Sequence, residues 1–145
     1  MNALGLRSDN EPMGNECSGV IVAVGVGVKG LSVGDAVMAM VKGGFSSVAI
    51  ANAHFVVPKP AELSFAEAAG VPIPFFTAYY CLHQAAQLQR GERVLIHAAA
   101  GGVGMAAVQI ALRAGAGRLA TLVQAEAGLA ASTRLLEDAA GAPER

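Results

Sequence analysis

Val94-Leu95-Ile96-His97-Ala98-Ala99-Ala100-Gly101-Gly102-Val103-Gly104 decides how this sequence folds. Arg93 to Ala98 reads as a short buried strand, and Gly101 to Gly104 as a glycine turn. Val103 to Ala114 has helical spacing, with Val103, Ala107, Ile110 and Ala114 on one face. A strand that feeds a tight turn and then a helix leaves free N–H groups at the helix N-terminus. The positive end of the helix dipole stands behind them, and a pyrophosphate is the ligand this geometry suits. Gly101 and Gly102 permit positive φ and keep Cβ atoms out of the ligand's path. Gly104 is expected to let the helix pack closely on the strand. The spacing Ala98-x-x-Gly101-x-x-Gly104 departs from G-x-G-x-x-G, so a purely structural glycine turn is the alternative.

Downstream, Gly115 is a C-cap signal. Leu119 to Val123 predicts a second strand and Ala125 to Ala140 a second helix, followed by a tail, Gly141 to Arg145. An acid about 20 positions beyond the turn would mark NAD. Gln124 is neutral and Glu126 lies two residues late, which argues against NAD. No Arg or Lys for an NADP phosphate stands at that point either; the nearest, Arg118 and Arg134, read as solvated surface residues.

Upstream, Gln89-Arg90-Gly91-Glu92 is a polar turn, and Phe75 to Leu88 predicts a helix. Ser64-Phe65-Ala66-Glu67 is a capping-box pattern opening a short helix that ends near Gly70. Before residue 60 the chain is β-rich. Strands are predicted over Cys17 to Val28, broken at Gly25 and Gly27, and over Ala36 to Val41, ended by Lys42-Gly43-Gly44. Two more are predicted over Phe45 to Ala51 and Phe55 to Val57, and Pro58 and Pro60 close the region. Such short spacing suggests an antiparallel, barrel-like module.

Composition narrows the classes. Lys and Arg total 10 against 11 Asp and Glu, a net charge of −1, so no basic footprint for nucleic acid exists. With 54% hydrophobic and 14% charged residues the chain is not of the disordered type. Residues 68–89 and 94–112 carry no Asp, Glu, Lys or Arg and are long enough to span a bilayer. Pro72, Pro74, His83 and three glutamines interrupt the first, and three glycines the second. Both read as buried elements of a soluble α/β core, with no membrane. No apolar leader follows Met1, so a cytoplasmic protein with reduced thiols is expected. Cys17 and Cys81 have no metal spacing and read as small core residues. His54 reads as a strand-edge residue, His83 as a surface or interface residue, and His97 as a satisfied core histidine.

Several motifs then converge. Gly14-Asn15-Glu16-Cys17-Ser18-Gly19-Val20-Ile21-Val22-Ala23-Val24-Gly25 followed by Gly34-Asp35-Ala36-Val37 resembles the catalytic-domain signature of medium-chain dehydrogenases/reductases. The turn at Ala98 to Gly104 resembles that of their quinone-reductase branch. With Asn2-Ala3-Leu4-Gly5-Leu6, Thr77-Ala78-Tyr79-Tyr80 and His97 through Gln109, the sequence resembles the enoylreductase domain of modular polyketide synthases and related fatty acid synthases over residues 2–123.

The resemblance implies an α/β fold. Part of a GroES-like β-barrel module would occupy residues 1–62. The first part of a Rossmann-like doubly wound parallel sheet, with its leading helices, would occupy 63–140, with 141–145 as a tail. It implies NADPH-dependent reduction of an α,β-unsaturated thioester on an acyl carrier protein, in polyketide or fatty acid synthesis. Hydride goes to the β-carbon and a proton to the α-carbon. Ala100, Gly101, Gly102, Val103 and Gly104 would contact the pyrophosphate. Thr77 and Tyr80 would lie near the nicotinamide, the alternative being helix packing. Asn15 stands where zinc-dependent relatives carry a ligand histidine, so no metal is expected.

Arg7 departs from the aromatic or small apolar residue thought to face substrate. No catalytic residue is assigned: the upstream Asn-Phe-Arg-Asp-like segment and the lysine after the second strand have no match. Neighbouring synthase domains are implied as partners, and exposed sheet edges favour a homo-oligomer. Two other readings stay open. One is a catalytically inactive, truncated reductase piece with a structural or assembly role. The other is a zinc-independent quinone oxidoreductase.

Overall fold

The structure, a computed structural model, describes residues 12–122. The chain divides into two compact units, Met1–Ile73 and Pro74–Arg145. Gln124, Glu126, Arg134, Arg7, the predicted second helix and the tail lie outside the described residues.

The first unit holds an antiparallel sheet of β1 (Glu16–Val20), β2 (Ala36–Met40) and β3 (Val56–Pro58), in that order. β2 is central, and its alternate residues Val37 and Ala39 are buried together with Val41 just beyond it. The expected strand over residues 17–28 is cut short at Val20. Ile21 still donates to Asp35 O at 3.0 Å and accepts from Gly34 N at 2.8 Å, but residues 22–25 are not laddered and a turn follows at Gly27. Asp35 tightens the return: its carboxylate accepts from Ser32 N at 2.7 Å. The expected strand over residues 45–51 is replaced by bends. Ser46 Oγ donates to Gly43 O and Val48 O at 2.6 and 2.9 Å, a local alternative to ladder bonding. β3 begins at Val56 because Ala53–Phe55 forms a 3₁₀ turn whose cap, Asn52, accepts from His54 N at 3.0 Å. His54 therefore sits in that turn and not on a strand edge. Pro58 is tolerated because β3 is an edge strand.

α1 (Phe65–Ala69) forms where the capping box predicts it. Ser64 Oγ accepts from Glu67 N at 3.2 Å, and Glu67 Oε2 accepts from Ser64 N at 2.8 Å. Gly70 is the C-cap. The helix lies on β1, and Ser18 Oγ donates to Phe65 O. These contacts tie α1 to the sheet, and the division of the chain falls after Ile73.

α2 (Pro72–Tyr79) starts three residues before the predicted Phe75. Pro72 suits a first helical position, and Glu16 Oε2 accepts from Ile73 N at 2.8 Å. The helix also fails to run to Leu88. It widens at Tyr80 into a π-helical turn, Tyr80–Ala85, closed by Ala86 N–H to Cys81 O at 2.9 Å.

In the second unit, β4 (Arg93–His97) and β5 (Arg118–Leu122) pair in parallel, from Arg93↔Arg118 to His97↔Leu122. α3 (Gly102–Arg113) connects them. The core is Ala78, Ile96, Ala99, Ala106, Ala107, Val108 and Ala111. On α3 the residues at Gly104, Ala107, Val108 and Ala111 are buried, at i, i+3, i+4 and i+7. This face is rotated from the expected one: Val103 is 42% exposed. Small residues take the core side because they let α3 approach β4 closely. The C-cap is Ala114, and Gly115 follows it at φ 78°. Gly115 N donates to Leu112 O at 2.9 Å and Ala116 N to Ala111 O at 3.0 Å, which is the Schellman pattern.

The capping box gives a testable outcome. The Ser64 hydroxyl, then its amide, hold the Glu67 carboxyl below its usual range. A depressed folded pKa means that this stabilisation is complete above the ordinary glutamate range and is lost as the pH falls through the lowered value. Ser64→Ala should cost about 1 kcal/mol in urea unfolding near neutral pH. Glu67→Gln should flatten the acid limb of stability against pH; an unchanged acid limb contradicts the assignment.

Candidate functional site

β4 ends at His97, and the chain turns at once. Ala98 adopts φ 51°, and Gly101 N donates to Ala98 O at 2.9 Å. The left-handed residue is therefore Ala98, and neither Gly101 nor Gly102 uses the positive φ that glycine permits. Gly101 is extended, at φ −78° and ψ 164°, because it is the N-cap of α3; Gly102 is already helical. Left-handed alanine costs about 1–2 kcal/mol.

Gly101 has no side chain with which to cap the helix, and the first turn contains no acidic residue. The amides of Gly102, Val103 and Gly104 have no intrahelical acceptor by position. The ladder starts with Met105 N donating to Gly101 O at 2.8 Å. Gly101, Gly102 and Val103 are exposed, Ala100 is half-buried and Ala99 lies fully buried beneath them. The helix mouth is open, and it offers three adjacent donors at the positive end of a 12-residue helix.

The three glycines do different work. A methyl on Gly104 would stand 2.6 Å from Ala99 Cα and 2.9 Å from Ala98 C, and closer still to Ala98 O. Those are backbone atoms, so only glycine lets α3 sit against the turn. A methyl on Gly101 would stand 3.4 Å from Ala98 O. On Gly102 it would meet the Pro74 ring at 3.6 Å. The space that Gly102 leaves is thus shared with Pro74, a neighbour that nothing in the sequence spacing announces.

α2 sorts the two other candidates. Pro74, Thr77 and Ala78 share one face at i, i+3 and i+4. Phe76 and Tyr80 share another, with their ring centroids 6.4 Å apart. Thr77 is thereby grouped with the residue beside Gly102, and Tyr80 with Phe76. Tyr80 is 56% exposed.

His97 is exposed at the end of β4, not a core histidine. His83 is half-buried against the Tyr79 ring, with centroids 4.6 Å apart. Cys81 is exposed, contrary to the expected core role; Cys17 is partly buried, and burial pushes its thiol pKa up. Arg118 pairs with Arg93 at the far end of the parallel ladder, about 13 Å along the strands from the turn. Asn15 lines a separate groove of the first unit, about 440 Å³, with Met40, Lys42, Ile50 and Phe55. Among the described residues no group of three or more His, Cys, Asp or Glu could hold a metal ion. No helix among them is long and apolar enough to cross a membrane.

No protein-family model matches the chain. Erythronolide synthase EryA2 of Saccharopolyspora erythraea is 47% identical over 126 residues, which are 87% of this chain and 4% of that synthase. The crystal structure of CurK enoyl reductase is 45% identical with a TM-score of 0.73, covering 89% of this chain and 37% of that one. Over most of its length the chain is similar to polyketide synthase enoyl reductases. Its antiparallel sheet and its β4-α3-β5 unit are parts of the GroES-like and Rossmann-like halves of the medium-chain dehydrogenase/reductase fold. The chain is also similar to Escherichia coli quinone oxidoreductase, a structure complexed with NADPH. There the identity is 34% and the TM-score 0.75, over 88% of this chain and 40% of that one.

The turn's geometry predicts opposite outcomes for neighbouring glycines. Gly104→Ala should lower unfolding free energy by about 1–3 kcal/mol, from overpacking against backbone. Gly101→Ala should change it by less than about 0.5 kcal/mol. Ala98→Gly, which relieves the left-handed alanine, should not destabilise. Urea unfolding of the three variants checks this ranking; equal losses at positions 101 and 104 contradict it.

Proposed function

We propose that this chain supplies the diphosphate-binding turn of an NADPH-dependent enoyl reductase. Its substrate would be an α,β-unsaturated thioester borne on an acyl carrier protein, within a polyketide-type synthase. One observation carries the reading: the amides of Gly102, Val103 and Gly104 lie uncapped at an open helix mouth with no acidic side chain in the first turn. A diphosphate fits that donor set, because it brings negative charge and acceptor oxygens to the positive end of the dipole. Ala100, Gly101, Gly102, Val103 and Gly104 would form the cradle. Thr77, on the same face of α2 as Pro74, would lie toward the nicotinamide, and the resemblance assigns Tyr80 there as well.

NADPH bound there would supply the hydride for the β-carbon of the substrate. The chain's own contribution is positional. Gly104 fixes α3 against the backbone of the turn, so the donors are aimed before the ligand arrives and need little ordering on binding. The NADPH complex of the quinone oxidoreductase supports the choice of cofactor. Identity of 45% to CurK enoyl reductase, against 34% to that quinone oxidoreductase, favours an enoyl thioester over a quinone. Because the chain spans only a minor share of these relatives, the activity and the acyl-carrier partner are proposals about the whole domain.

Titration followed by nicotinamide fluorescence tests the cofactor. The chain should bind NADPH saturably. Gly101→Val, whose extended backbone accommodates valine, should weaken binding at least about tenfold (1.4 kcal/mol) with little change in unfolding midpoint. Absence of saturable binding removes the proposal. Faster NADPH oxidation with a quinone than with a crotonyl thioester would move the assignment to quinone reduction.

A further inference from the structure

We propose that Pro74 is a positioning residue for the cofactor diphosphate, walling one side of the α3 mouth. This rests on the NADPH reading above. The Cα–Cβ bonds of a helix tilt toward its N-terminus, so a methyl on Gly102 would point back across the mouth of α3. There it would stand 3.6 Å from Pro74 Cγ and 3.9 Å from its Cβ. The pyrrolidine ring therefore flanks the amides that await the anion.

Pro74 also belongs to the first turn of α2, itself a helix N-terminus that would ordinarily show free amides. Here they are absent or taken. Pro72 and Pro74 have no N–H, and the Ile73 N–H is held by the Glu16 carboxylate at 2.8 Å. Residues 72–74 thus present no rival donor, although Pro74 lies beside the donors of α3. The ring adds an apolar surface beside Gly102 with no rotamer freedom to lose, and with an anion bound it would keep water from that side of the Gly102 amide. Hydrogen bonds from that amide to a charged oxygen gain strength in the lower local dielectric. Thr77 lies on the same face, about 4.5 Å further along the axis, where a ligand extending from the mouth would next meet α2. Pro74 acts through the Gly102 amide and takes no part in the chemistry.

Two variants of the intact chain separate ring bulk from the missing N–H. Pro74→Ala trims the ring and restores a donor; Pro74→Val restores the donor but keeps apolar bulk. The dissociation constant for NADPH and the amide exchange rate of Gly102 in the ligand-free chain are read together, with the thermal midpoint as control. Pro74→Ala should weaken NADPH about tenfold, the scale of one hydrogen bond, and speed Gly102 exchange. Pro74→Val should stay near wild type in both, and neither variant should shift the midpoint appreciably. Equal weakening in both variants, or loss that tracks a falling midpoint, overturns the role of Pro74. So does wild-type binding that Pro74→Ala leaves intact. No saturable binding by the wild-type chain overturns the cofactor reading itself.

Discussion

A missing side chain at Gly104 sets the geometry on which the second unit depends. With backbone atoms of Ala98 and Ala99 where a Cβ would go, α3 can start directly over the turn that ends β4. The core then follows the same logic. Five of its seven buried residues are alanine, with Ile96 and Val108 supplying the bulk. Small residues at Ala107 and Ala111 continue the close approach that Gly104 begins. A larger residue in this row would lift the helix from the strand and turn its amides away from the mouth. The donor set is thus a consequence of packing, not of the loop alone.

The loop contributes what packing cannot. Gly101 must leave β-space for the helix while offering no side chain to cap it, and a Ser or Asp in its place would satisfy one of the amides internally. Contrast α1, where Ser64 and Glu67 satisfy each other's amides and close that helix end. The chain holds both kinds of helix start within 40 residues: one sealed by side chains, one without a side-chain cap. Left-handed Ala98 is the strained point that reverses the backbone between them, at a place where strain is compatible with function.

Much of this was legible in the sequence. The capping box, the strand at residues 93–97, the open glycine turn and the helix after it follow from local patterns that tertiary structure did not override. The failures have particular causes. Valines over residues 20–26 read as strand because β-propensity registers fit to a pleated surface, but residues 22–25 have no ladder among the described residues. Ser46 diverted the 45–51 segment through side-chain bonds that no periodicity shows. The π-helical turn at Tyr80 leaves no compositional mark. In the turn itself, close packing at Gly104 was legible, but that the positive φ falls to Ala98 was not. Pro74 was invisible as a site residue because its neighbour, Gly102, is 28 positions away and only the fold joins them.

The most direct test is a nitrogen-15 amide spectrum of the chain titrated with NADPH. If α3 opens onto a diphosphate, the resonances of Gly102, Val103 and Gly104 move together and saturate, while those of the sealed α1 start at Phe65 and Ala66 stay in place. Saturable binding that shifts other amides and leaves these three unmoved would contradict the account.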